Sequence, residues 1–231
     1  KLAWSPDGRR LLTGCETGLR GNQKSTVTVD NCTFDGNVDG AFISLGGEGV
    51  FRDSRFVNIQ GNGIVVDKGA VLRVTGSTFS HGRTGIFSLT NSPCRIEDSA
   101  FASLEKGIVA RQMGKNSTVA RGSFENDDTG LLAVQNSLLE VQDSVFLGNR
   151  TGLEVQEFSS PGIRNNRLER NQVALSVIRK SRPLVERNVY YHNRTAVFVN
   201  YSSYPRIVGN NFDRNDMSVR LEKFQSGDWE E

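Results

Sequence analysis

The sequence predicts an all-β solenoid of about ten coils, and three features of its 231 residues carry that expectation. A bulky residue recurs every 22 or 23 positions, at Leu12, Phe34, Phe56, Phe79, Phe101, Phe124, Phe146, Leu168, Tyr190 and Phe212. Between these anchors lie alternating apolar segments of three to five residues, broken by Gly and Asn, as short strands require. No stretch shows the apolar spacing of a helix. A period in this range marks a repeat architecture.

Each unit repeats one phrase. Five residues before the anchor stands an apolar residue, as at Val29, Phe51, Val74, Ile96 and Val119. Two before it stands a small polar residue: Ser54, Ser77, Ser99 and Ser144, then Asn166, Asn188 and Asn210. Six after it comes Gly or Ala, followed by an inward pair such as Leu153 and Val155. Such a unit cannot bury its own apolar face, so it must stack on copies of itself. Parallel pairing at ~4.8 Å per coil then builds a rod ~45–50 Å long. An Asn column after the anchor (Asn37, Asn149, Asn171, Asn193, Asn215) reads as structural. Asn tolerates the left-handed turns such coils need, and stacked amides can bond along the axis. The chain reads as a single domain over 1–231 with repeats at 9–223. Residues 1–8 are expected to form a partial coil or cap and 224–231, with Phe224 and Trp229, a C-terminal cap. The whole reads as a fragment of a longer solenoid.

Composition argues against several roles. Lys+Arg number 28 against 26 Asp+Glu, a net charge of +2, so no overall field favours nucleic acid. No apolar run approaches the ~18 residues of a membrane span. Cys15, Cys32 and Cys94 are odd in number and lack CxxC spacing, so they are expected to be small buried residues. His81 and His192 stand 111 residues apart, which leaves no His-based site. No metal and no cofactor are expected.

The units LLEVQDSVFLGNRTGLEVQEFSS (138–160) and RPLVERNVYYHNRTAVFVNYSS (182–203) resemble the repeats of right-handed parallel β-helix proteins. They are most similar to the carbohydrate-binding and sugar-hydrolase, or periplasmic copper-protein-like, β-helices, over residues 9 to about 224. The resemblance implies the fold, a right-handed parallel β-helix. For function it implies only a field of lyases, hydrolases, epimerases, adhesins and inert scaffolds. The setting is expected to be extracellular, at the cell surface or periplasmic.

The search for chemistry yields little. Four after the anchor one column runs Arg83, Glu105, Asp128 and Arg150, which sets Glu105 and Asp128 one strand spacing (~5 Å) apart. That separation suits a paired carboxylate site of the retaining-glycosidase kind. With an Arg flanking each, a solvated charge ladder is the plainer reading. The ENDD turn, Glu125 to Asp128, offers too few oxygens for calcium. The phrases of polygalacturonases occur only in the wrong order, with SHG (80–82) ahead of DD (127–128).

Two surfaces do better. Arg179 and Tyr201, like Arg182 and Tyr204, are 22 apart and share a column; with Lys180, Arg206 and Lys223 they form a basic, aromatic patch suited to an acidic glycan. Outward positions on one strand are apolar at Phe42, Val65, Phe87, Leu89, Val109, Leu132, Val134, Ile178 and Phe198. Such a strip is expected to meet a protein partner or further coils. The sequence therefore reads as a non-catalytic rod binding a protein partner or an acidic polysaccharide. The alternative is a polysaccharide-processing lyase, hydrolase or epimerase.

Overall fold

The computed structural model describes residues 2–4, 10–200 and 202–222, with side chains from Arg10 onward. Among these residues every regular element is a strand. The repeat unit is one coil of a parallel β-solenoid, and successive anchors lie in register: Phe34 on Phe56, Phe56 on Phe79, Phe79 on Phe101. Only Leu2–Trp4, against Arg10–Thr13, pairs antiparallel among the described strands.

Each coil contributes three strands, so the rod has three faces. The anchor face is built from strands such as Arg55–Val57 and Val145–Leu147. The broad face takes the five-residue strands that follow, such as Asp39–Ile43 and Thr151–Val155. These two faces form one 19-stranded sheet, because in two coils they fuse into the continuous strands Thr78–Ser88 and Ala100–Arg111. The back face, with Glu48–Arg52 and Gly162–Arg164, is a separate nine-stranded sheet.

The core follows from alternation. Phe34, Phe56, Phe79, Phe101, Phe124 and Phe146 point inward and stack ring on ring, with centroids 4.5 to 4.9 Å apart and planes within 6°. The coil spacing itself sets that distance, and offset stacking adds to the burial gain. Leu168 interrupts the stack, and Tyr190 with Phe212 resumes it at 4.9 Å. The ring column also explains the glycine six residues after the anchor. A Cβ on Gly85 would stand 2.5 Å from the Gly107 carbonyl oxygen and 2.7 Å from Phe101.

Each coil turns three corners, and each corner needs left-handed backbone. One such residue stands three before the anchor (Asp53, Gly76, Asp98) and another two after it (Asn58, His81, Gly148). The third corner takes two in succession, as at Lys68–Gly69 and Gln135–Asn136. The expected role of the Asn column is thereby corrected in one respect. Gly148, Arg170 and His192 hold the left-handed conformation, and Asn149, Asn171 and Asn193 each follow one residue later. Those asparagines are the buried ladder. Asn171 Oδ1 accepts from the backbone N–H and the side-chain Nδ2 of Asn149 at 2.9 and 3.0 Å. Asn171 Nδ2 in turn donates to the Phe146 carbonyl and to Asn193 Oδ1, both at 3.0 Å. The ladder satisfies the polar groups of a corner that has no access to water.

All three cysteines are free thiols; Cys32 and Cys94 are buried, and burial pushes the Cys94 thiol up to about 12. Among the described residues no helix is long and apolar enough to cross a membrane. Phe224 and Trp229, the expected cap residues, lie outside the described residues, as do Tyr201 and Lys223 of the basic patch.

Candidate functional site

The corner between broad and back faces is pinned from within by a serine column. Ser137 N donates to Ser159 Oγ at 3.1 Å, and Ser181 N to Ser203 Oγ at 3.2 Å. With each serine buried, the residues on either side of it are turned to solvent and align from coil to coil. Phe158, Lys180 and Ser202 form one row, and Ser160, Arg182 and Tyr204 the other. The two rows line a shallow groove of about 440 Å³. Phe158 and Tyr204 are 57% and 59% exposed, unusual for aromatic rings on a folded surface. Lys180 Nζ lies 5.7 Å from the Phe158 ring centroid, and Arg182 Cζ lies 5.8 Å from that of Tyr204. Among the described residues neither cation has an ion-pair partner.

The backbone under the groove is strained. Phe158 and Lys180 have φ of 62° and 63°, at the corner position that Lys24, Gly46, Gly69, Asn91 and Asn136 fill in earlier coils. A side chain larger than Asn held there costs ~1–2 kcal/mol.

Of the basic patch expected from sequence, Lys180, Arg182 and Tyr204 come together in the groove. Arg179 turns away, with its Nη1 3.0 Å from both Gln156 Oε1 and Glu157 Oε1. Arg206 is exposed on the back-face strand Arg206–Val208, outside the groove. Phe158 was not singled out from sequence, although it stands 22 residues before Lys180 and the same column rule reaches it.

Glu105 and Asp128 occupy the column the spacing assigned them. Arg83 Nε lies 3.5 Å from Glu105 Oε2, and Arg150 Nε lies 3.7 Å from Asp128 Oδ1, with all four side chains more than half exposed. Two other carboxyl groups are shifted by burial. It raises Asp127 to about 7, against the lowering bond from Leu104 N, with Glu125 and Asp128 adding to the rise. Burial also raises Glu154, while Arg179, Lys106 and Arg150 pull it down. Among the described residues no three His, Cys, Asp or Glu side chains gather as a metal site.

The apolar outward positions divide into two groups. Phe42, Val65, Phe87, Val109 and Leu132 are directly paired through five successive coils of the broad face, but Val65 and Val109 are buried, at 5% and 8% exposure, and the half-buried Phe42, Phe87 and Leu132 carry its accessible apolar surface. Glu154 and Ser176 then continue the column, so Phe198 stands apart, with the Arg220 guanidinium 5.7 Å from its ring. Leu89, Val134 and Ile178 belong to the next column, where Arg111 separates the first two and Gln156 the last two.

Taken with its register and corners, this geometry defines a right-handed parallel β-helix. Residues 11–101 and 62–212 match the family model of the right handed beta helix region, and the chain belongs to that family. Among solved structures it is similar to the catalytic unit of a thermostable GH87 α-1,3-glucanase from Streptomyces thermodiastaticus strain HF3-3. The TM-score is 0.75 at 11% identity, over 91% of this chain and 48% of the glucanase unit, so this chain spans about half of that protein. It is also similar to the periplasmic alginate epimerase AlgG, with TM-score 0.65 at 17% identity, over 95% of this chain and 64% of that one. The A-module of mannuronan C-5 epimerase AlgE4 from Azotobacter vinelandii gives TM-score 0.63 at 13% identity, over 91% and 78% of the two chains. These likenesses are of fold. No curated protein matches the sequence.

Proposed function

We propose that this chain is a non-catalytic β-helix rod that binds an acidic glycan in the Phe158–Tyr204 groove. The observation that carries the reading is the groove itself, with two exposed rings and two cations that have no ion-pair partner among the described residues. The rings offer apolar faces to the C–H faces of sugars, and Lys180 and Arg182 offer charge to carboxylate or sulfate. The similarity in fold to one protein named as an alginate epimerase and another named as a mannuronan epimerase fits such a ligand. A setting outside the cytoplasm fits as well, since one of those relatives is named as periplasmic.

The test is isothermal titration with oligomers of alginate and polygalacturonate, with a neutral α-1,3-glucan oligomer as control. Products are assayed in the same samples. Uronate oligomers should bind, the neutral one should not, and affinity should fall with added salt. Arg182→Ala and Tyr204→Ala should each weaken binding about tenfold or more, ~1.4 kcal/mol. Binding that ignores both substitutions sinks the groove. Cleavage or epimerisation of the polymer would favour the enzyme reading, and loss of that activity in Glu105→Gln or Asp128→Asn would place it on those carboxylates.

A further inference from the structure

The broad face carries a second surface that the groove does not touch. Its outward column begins with Arg20, continues through the five apolar residues from Phe42 to Leu132, and ends with Glu154. Arg20 is exposed and lies 5.2 Å from the Phe42 ring centroid. Two residues further along each strand runs a second column: Asp67, Leu89, Arg111 and Val134. Both columns are antisymmetric in charge about the coil that holds Phe87 and Leu89. Arg20 stands three coils before Phe87 and Glu154 three coils after it. Asp67 stands one coil before Leu89 and Arg111 one coil after.

We propose that a second copy of this chain docks on this face, with the two rods antiparallel about a twofold axis lying along the strands at Phe87. That operation sets each column against its own copy and reverses the order of coils. Phe87 then meets Phe87 of the second copy and Phe42 meets Leu132, while the buried Val65 and Val109 lie in register between them. Arg20 faces Glu154 at both ends. In the neighbouring column Leu89 meets itself and Asp67 faces Arg111. No like charges meet in either column. The parallel alternative would set Arg20 on Arg20 and Glu154 on Glu154, and it is excluded on that ground. Such an interface is isologous, as closed dimers require.

The charges at the ends are available for this pairing. Of the three cations near Glu154, Arg150 and Arg179 are engaged by Asp128 and Glu157 at 3.7 and 3.0 Å, which leaves Lys106, without an ion pair among the described residues, as the one intramolecular rival of Arg20. The size is adequate for a reversible dimer. Seven coils at ~4.8 Å and two or three columns give ~30 Å by ~20 Å, or ~1,200 Å² over both partners, the lower end of specific interfaces.

Sedimentation velocity on the purified chain across the micromolar range tests the proposal. A monomer–dimer equilibrium is expected. Phe87→Asp, on a half-buried outward position, should raise the dissociation constant at least about tenfold with an unchanged circular dichroism spectrum. Arg20→Glu and Glu154→Arg should each weaken the dimer. An equimolar mixture of those two single variants should recover wild-type affinity. The glutamate introduced in one copy then faces the arginine introduced in the other, and the remaining pair is the native Arg20 against the native Glu154. Two weakened single variants that recover to wild-type affinity on mixing are specific to the antiparallel register, because in the parallel one each single variant would keep the like-charge contacts of the wild type and the mixture would bind more tightly than wild type. A chain monomeric throughout, a dimer indifferent to Phe87→Asp, or a mixture no tighter than its components would overturn the proposal.

Discussion

The coils before Phe124 and those after it solve one packing problem with different side chains. In the earlier coils the corner three residues past the anchor runs Asn37, Ile59, Gly82 and Leu104, so its amide is a lone rung bonded to the Cys15 N–H and the Leu12 carbonyl, and the ring stack runs unbroken beside it. In the later coils that corner holds Asn149, Asn171 and Asn193, and the small polar residue before the anchor changes from serine to Asn166 and Asn188. The stack lapses at Leu168 in the same region. One half thus joins its coils by apolar contact and single serine rungs, with Asn37 a lone amide, and the other by continuous amide ladders. The outer surfaces divide in parallel: the apolar column belongs to the first half and the polar groove to the second. A solenoid permits this because each coil answers only to its neighbours.

Breaking each half at its own device should measure the difference. Phe101 lies between Phe79 and Phe124, with centroids 4.9 and 4.8 Å away. Phe101→Ala opens a cavity that rigid neighbouring coils cannot close, and it should cost ~3–5 kcal/mol in urea unfolding. Asn171→Ala deprives Asn149 N, Asn149 Nδ2, the Phe146 carbonyl and Asn193 Oδ1 of a partner. Buried orphans cost ~1–3 kcal/mol each but share the loss, so a total near ~3 kcal/mol is expected. If Asn171→Ala proves the costlier of the two, the ladders and not the rings dominate the rod.

Asp127 stands where the two halves meet and is the first rung of the continuous ladder. Its Oδ1 accepts from Leu104 N at 2.9 Å, and its own N–H donates to Asn149 Oδ1. Its Oδ2 is buried with no hydrogen-bond partner among the described residues, in a residue only 2% exposed. In the repeat, that atom takes the place of an asparagine Nδ2, which faces acceptor oxygens. A charged carboxylate is therefore disfavoured, and a protonated one could donate as Asn does. The folded-state value is raised from 3.8 to about 7, chiefly by burial, so between those limits the folded chain binds the proton more tightly than the unfolded chain. The contribution to stability is present below about pH 4 and is lost as pH rises through about 7, at ~1.4 kcal/mol for each pH unit crossed. Asp127→Asn should remove that slope and raise stability at pH 8 by ~2 kcal/mol or more, as read from urea midpoints at pH 5 and pH 8. Equal pH slopes in the two proteins would show that Asp127 titrates normally.

The period was fully legible in the sequence because a coil's register is a linear count. Anchors 22 or 23 apart must stack, and they do. The column rule likewise placed Glu105 beside Asp128 and Arg182 beside Tyr204. Less legible was which member of a corner bears the left-handed strain, since Asn, Gly, Arg and His all occur there. The Asn ladder could be expected, but Arg170 and His192 as left-handed residues could not, because local propensity is overridden by the coils above and below. Charge in the basic patch was legible and its pairing was not. Arg179 and Lys180 are adjacent in sequence, yet only one faces the groove.

The smallest expected effect separates strain from use. Phe158 and Asn136 occupy the same corner position in adjacent coils, with φ of 62° and 61°. Asn tolerates that conformation better than an aromatic residue. Phe158→Asn should therefore stabilise the rod by up to ~1 kcal/mol while weakening uronate binding about tenfold. Asn136→Phe should cost a similar ~1 kcal/mol and create no binding, because Phe158 is the residue aligned with Lys180. If Phe158→Asn gains stability and keeps full affinity, the strained ring contributes nothing to recognition and the groove rests on Lys180, Arg182 and Tyr204 alone. If it loses both, Phe158 belongs to the packing of the corner, and its exposure is incidental. Only the opposed result, a firmer rod that binds less, identifies strain retained for a ligand.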